Sequence, residues 1–71
     1  MESLEVRFGE ILKELRKKKK LSQEELATDC GLDRTYISLL ERGLRQPTLG
    51  TLLRLAEVLG VSASSIVKQL E

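Results

Sequence analysis

Histidine and tryptophan are absent from this sequence, cysteine and proline occur once each, and Phe8 and Tyr36 are the only aromatic residues. Each gap closes a route. A single thiol, Cys30, forms no internal disulfide, and without histidine it assembles no zinc set. Histidine is also the commonest general base at neutral pH. No Ser-His, Cys-His or paired-carboxylate arrangement can be argued, so neither an enzyme nor a cofactor is expected. No apolar run approaches the roughly 18 residues that span a bilayer, and charges stand near the N-terminus where a signal peptide needs an apolar stretch. The expectation is a cytoplasmic protein with no membrane partner. At 71 residues the chain is expected to form one domain, residues 1–71. It leaves no room for a ligand-sensing unit, so no small-molecule ligand is expected.

What is present is leucine and charge. Fifteen leucines and 32% charged residues with a single proline read as a soluble all-α domain. A core of this size supplies only ~3–5 kcal/mol, so tight helix packing or oligomerisation has to support it. The net charge of +1 predicts no polyanion partner by itself, but the charges are unevenly placed. Residues 13–45 hold nine Lys/Arg and six Asp/Glu, a balance of +3, and the remainder holds three and five, a balance of −2. The excess gathers at Arg16-Lys17-Lys18-Lys19-Lys20, with Arg34, Arg42 and Arg45 further on. Such asymmetry can aim one face at an anion. A lysine run at a helix end equally suits the helix dipole and solvent.

Caps and periodicity mark five helices. The first spans about Ser3 to Lys19, with Leu4, Phe8, Ile11, Leu12 and Leu15 on one face. Gly9 within it points to a close helix contact. Ser22-Gln23-Glu24-Glu25 is a capping box that opens the second helix, and Gly31 stops it. Asp33 caps the third, from Arg34 to about Arg42, which stops at Gly43. Thr48 caps the fourth, Leu49 to Leu59, ended by Gly60. Ser62 caps the fifth, Ala63 to about Leu70.

The second and third helices, about residues 22–42, carry the functional signal. Ala27 is small where two helices cross closely, Gly31 permits a positive φ in the turn, and Ile37 and Leu40 sit three apart on an inner face. Arg34, Thr35, Ser38, Glu41 and Arg42 are then left outside. That is a helix-turn-helix, whose second helix lies in the DNA major groove.

Gln23, Ala27, Gly31, Ile37 and Leu40, continued by Glu41-Arg42-Gly43, Pro47, Leu52, Ala56 and Leu59-Gly60-Val61-Ser62, resemble the phage repressor and Cro family, also called the xenobiotic-response-element type. The resemblance covers about residues 8–67. Asp33-Arg34-Thr35-Tyr36-Ile37-Ser38 with Glu41-Arg42-Gly43 is most similar to the controller proteins of restriction–modification systems. The resemblance implies a compact five-helix lambda-repressor-like domain that binds double-stranded DNA and represses or activates transcription.

It also implies roles. Gln23 would touch a phosphate, aided by free N–H groups at the helix start. Arg34 would bridge O6 and N7 of guanine, unless an ion pair with Asp33 or a phosphate holds it. Thr35 would meet a thymine methyl or a base edge, or help the cap, and Ser38 would reach the groove floor or simply allow close approach. Tyr36 either packs under the helix or sends its hydroxyl to a phosphate. Arg42 and Arg45 would grip the backbone. Many relatives have glutamine where this chain has Arg34, so the arginine suggests guanine in the site. Asp33 and Glu41 either cost affinity or orient arginines by ion pairing. Cys30 reads as a small core residue.

The fourth and fifth helices carry more apolar surface than such short helices need internally. The spacing puts Leu49, Leu52, Leu53, Ala56 and Leu59 on one face, with Leu55 and Val58 pointing elsewhere and Ile66, Val67 and Leu70 at the end. These residues close the core, or Leu55, Ile66, Val67 and Leu70 form a homodimer seam that sets two recognition helices about 34–36 Å apart. The competing function is an antitoxin or anti-factor that uses the same helices chiefly to bind another protein.

Overall fold

The structure, a computed structural model, describes residues 2–71. Its elements are α1 (Leu4–Lys18), α2 (Gln23–Cys30), α3 (Arg34–Glu41), α4 (Leu49–Leu59) and α5 (Ala63–Leu70), with no strand among the described residues. Each helix begins where a short polar side chain accepts a backbone N–H that the helix leaves unpaired. Ser3, Ser22, Asp33, Thr48 and Ser62 accept from Val6, Glu25, Thr35, Thr51 and Ser65 respectively. At α2 the box closes on both sides, because Glu25 also accepts the Ser22 N–H at 2.8 Å.

Gly31, Gly43 and Gly60 hold positive φ at the ends of α2, α3 and α4. At the end of α1 the same left-handed position is taken by Lys20, at φ 59°. The Lys20 and Leu21 N–H groups return to the carbonyls of Lys17 and Arg16, closing a Schellman turn without glycine. Gly9 has a different task. A Cβ there would lie 2.5 Å from the Leu40 carbonyl oxygen and 2.6 Å from that of Glu41, so α1 and α3 meet backbone to backbone. The close contact expected at Gly9 is present, and it is α3 that makes it.

The core gathers one stripe from each helix. Phe8 and Leu12 come from α1, Leu26, Ala27 and Cys30 from α2, and Ile37 and Leu40 from α3. The contribution of α4 differs from the expected face. Leu52, Leu55, Ala56 and Leu59 are buried, while Leu49 and Leu53 are 74% and 54% exposed. In a helix this rich in leucine, two overlapping stripes fit the period equally well, and the packing of α4 on α2 and α5 selects between them. Leu55, at 0% exposure, and Ile66, at 1%, therefore lie in the core and have no surface to offer a dimer partner. Val67 is 40% exposed and Leu70 is half-buried.

No single helix among the described residues is long and apolar enough to cross a membrane. Only α4 and α5 together reach that composition, and they are bent by 113° at their junction. Arg7 ties the chain's two ends, its guanidinium donating to the carbonyls of Gln69 and Leu70 at 2.8 and 2.9 Å.

Candidate nucleic-acid interface

Gly31 and the packing of Ala27 set how α3 leaves α2. The left-handed Gly31 reverses the chain, and the Leu32 N–H bonds the Ala27 carbonyl at 2.8 Å. Ile37 and Leu40, both at 0% exposure, hold α3 down by its inner face. The opposite face then stands outward. Arg34 and Thr35 are exposed and Ser38 is half-buried. These three side chains and Gln23 line one shallow cleft of about 240 Å³. The three residues expected to read bases are thus brought together with Gln23, one of the four expected to reach a phosphate, whereas Tyr36, Arg42 and Arg45 do not line this cleft.

Asp33 is occupied as the cap of α3, its carboxylate accepting the Thr35 N–H at 3.1 Å. No ion pair joins it to Arg34, and among the described residues the Arg34 guanidinium has no hydrogen-bond partner. A fork of five donors is left facing outward at the start of a helix. Tyr36 is half-buried and packs against the core. Arg42 is the C-terminal cap of α3, and Arg42 and Arg45 are both exposed on either side of Gly43. Gly43 cannot carry a side chain there, because its φ is +74° and a Cβ would lie 2.7 Å from a Val6 methyl.

Glu41 is not outside, as its place on α3 suggested. Its side chain is 3% exposed, buried against Arg16 of α1. The two form a fork, Arg16 Nε to Glu41 Oε2 at 2.6 Å and Nη2 to Oε1 at 3.0 Å. Arg16 Nη1 also donates to the Leu21 carbonyl at 2.8 Å, and Gln23 Nε2 donates to Glu41 Oε1 at 3.1 Å. The hydrogen bond to Glu41 raises the Arg16 pKa, outweighing the burial that would lower it.

That network also sorts the basic run. Arg16 is consumed within the fold, and Lys18 lies 3.6 Å from Glu14 in an exposed pair of small value. Lys19 lies over the C-terminal end of α4, its Cε and Nζ 3.5 and 3.6 Å from where a Gly60 Cβ would be. Lys17 and Lys20 remain exposed. The sequence held one sign of this arrangement. Gly9 marks where α1 crosses α3, and Arg16, two turns further, projects from the same side.

Two other titratable groups are shifted by plain causes. Hydrogen bonds from Ser22 pull the Glu25 carboxyl below the usual range. Burial pushes the Cys30 thiol up, as does Asp29, against a smaller opposing effect of Arg54. Cys30 is a core residue at 2% exposure, and Arg54 Nη1 caps its carbonyl at 3.1 Å.

A family model described as helix-turn-helix matches residues 12–66. Control protein C.MunI from Mycoplasma sp is 42% identical over 72 residues, an alignment covering 100% of this chain and 97% of that protein. The crystal structure of the restriction–modification controller protein C.AhdI from Aeromonas hydrophila superposes with a TM-score of 0.83 at 46% identity, over 86% of this chain and 92% of that one. The master regulator for biofilm formation SinR, solved in complex with DNA, gives a TM-score of 0.80 at 34% identity, over 84% and 97% of the two chains.

Proposed function

The chain belongs to the helix-turn-helix family, and from that premise we propose that it is a DNA-binding transcriptional regulator acting as a homodimer on a pseudo-palindromic operator. The observation that carries this reading is the outward end of α3, where Arg34, Thr35 and Ser38 share one cleft with Gln23. The cleft joins base-edge donors to a phosphate ligand on the neighbouring helix start, which is the division of labour a major-groove reader needs. Arg34 reads guanine, Thr35 and Ser38 contact base edges, and Gln23, Arg42 and Arg45 hold the backbone. Tyr36 packs by its ring and turns its hydroxyl to a phosphate.

Two copies are needed for affinity. One unit with a local balance of +3 neutralises few phosphates, and two units double both the backbone and the base contacts. The seam we propose uses the outer faces of α4 and α5, with Leu49, Leu53 and Val67 exposed and Leu70 at its edge. Leu49 and Leu53 thus take the place of the buried Leu55 and Ile66, while Val67 and Leu70 keep the role expected of them.

Selection of bound fragments from a random-sequence pool tests the reading. The expected product has two related half-sites about 34–36 Å apart between centres, and its affinity falls steeply with added salt. A pool with no enriched sequence, or binding indifferent to salt, would overturn it. Sedimentation at micromolar concentration tests the seam. A mass of two chains that Leu53→Asp reduces to one is expected, and one chain throughout would refute it.

A further inference from the structure

We propose that Glu41 is a positioning residue for DNA binding, holding the Gln23 side chain in the pose that meets a phosphate. The inference rests on the DNA-binding reading above and adds a part to it. A carboxylate at 3% exposure, a few residues from a surface meant for a polyanion, calls for a reason. Electrostatics alone makes it a liability. Its neighbours show what it does. Arg16 takes both carboxylate oxygens from one side, at 2.6 and 3.0 Å, which fixes the plane of the group and offsets its charge. Oε1 then has capacity for one more donor, and Gln23 Nε2 fills it at 3.1 Å.

Gln23 is the first residue of α2 and lines the cleft with Arg34, Thr35 and Ser38. Its amide carries two N–H groups, and Glu41 takes one. Among the described residues the amide has no other hydrogen bond, so one N–H is left for a ligand in the cleft. A long side chain that would otherwise lose rotamer freedom on binding is immobilised in advance. The anchor comes from α1 and α3, so the phosphate ligand on α2 and the reading residues on α3 keep a fixed spacing.

The decisive variant replaces the ion pair as a unit, Arg16→Met with Glu41→Met. It leaves net charge unchanged, and well-packed apolar residues in place of a buried pair are commonly neutral or stabilising. Affinity is measured for a duplex that the unsubstituted chain has selected from a random pool. The replacement is expected to weaken binding about two- to tenfold, the cost of immobilising one long side chain. Once Gln23→Ala is present, the same replacement should add nothing. A purely structural role predicts a loss that persists without Gln23. Equal affinity before and after pair replacement, or a loss independent of Gln23, overturns the inference.

A second measurement needs no variant and no DNA. In the nuclear magnetic resonance spectrum of the free chain, the Gln23 side-chain amide protons should be shifted apart and protected relative to those of exposed Gln46. Identical behaviour of the two amides overturns the role of Glu41 even if the variant fails to fold. Should the unsubstituted chain bind no duplex, the DNA-binding reading falls and takes this inference with it. Silence of the pair replacement in a chain that does bind removes the inference alone.

Discussion

Two halves of the molecule are built to the same local plan and present opposite surfaces. In α2–α3 and in α4–α5, a helix ends on a left-handed glycine, Gly31 or Gly60, and the next starts from a polar cap, Asp33 or Ser62. Both pairs bury their inner residues in the same core. Outward, the first pair offers Arg34 and Thr35, and the second offers Leu49, Leu53 and Val67. Backbone construction therefore does not assign the function. The residues left over after the core is filled do so: α2–α3 exposes no large aliphatic side chain and sets a free guanidinium beside hydroxyls, whereas α4–α5 leaves three large aliphatics among its exposed polar residues.

The strongest way to break this comparison is to interchange inside and outside within α5. Ile66→Ala should cost about 2–5 kcal/mol, as much as a domain of this size has to lose, and the thermal transition should fall or vanish. Val67→Ala, one residue along, should leave the melting of the protomer nearly unchanged and act only through the proposed seam. Equal melting of the two variants would contradict the burial of Ile66 at 1% against 40% exposure for Val67.

Next in size is Arg34. Its guanidinium supports nothing in the fold, so Arg34→Ala should leave helical content and melting as they were. Discrimination between a selected site and unselected DNA should fall by about 1–3 kcal/mol, the value of one bidentate base contact. Competition binding at fixed salt measures it, and unaltered discrimination would remove Arg34 from the base-reading set.

The two turn glycines provide a matched pair. A Cβ at Gly31 would come no closer than 3.9 Å to Arg54, and one at Gly60 no closer than 3.5 Å to Lys19. Neither clashes, so Gly31→Ala and Gly60→Ala should each cost only the left-handed conformation, about 1–2 kcal/mol. Lys20→Gly should return a similar amount in the opposite direction, since Lys20 already bears that strain at φ 59°. Denaturant melts of the three variants test the ordering.

The caps and the left-handed glycines were legible because each is a local device. Ser22 and Glu25 are three residues apart, and their two hydrogen bonds need nothing from the rest of the chain. The outward placement of Arg34, Thr35 and Ser38 followed from Ile37 and Leu40, which fix the inner face of a short helix. The rotation of α4 was not legible. Its leucines satisfy two stripes, and only the neighbours α2 and α5 decide that Leu55 goes in and Leu53 out. Nor was the burial of Glu41, because its partner Arg16 is 25 residues away within a lysine-rich stretch that reads as solvated. Lys20 was hidden for another reason, since a lysine in a left-handed turn carries no mark in the sequence.

The smallest effect separates the halves by pH. α2 is capped by a box whose second member titrates, and α5 by a pair of serines that carry no carboxylate. At α5, Ser65 donates its N–H to Ser62 Oγ at 3.2 Å and its hydroxyl to the Ser62 carbonyl at 2.7 Å. At α2, the Glu25 carboxylate accepts the Ser22 N–H, and its pKa is lowered chiefly by that bond. A lowered folded-state pKa means that the contribution is complete above the unfolded value, near 4.3, and is lost as pH falls through the folded one. Acidification should therefore fray the start of α2 while the start of α5 stays closed. Glu25→Gln, which can still accept the Ser22 N–H, should flatten that response. Glu10 moves the other way, raised by the adjacent Glu2, so a global acid melt mixes opposing signs. The readout has to be residue by residue, as hydrogen exchange at Ser22 and Ser65 between neutral and acid pH. Equal loss of protection at both amides, or a Glu25 carboxyl that titrates above the usual range, would erase this distinction between the halves.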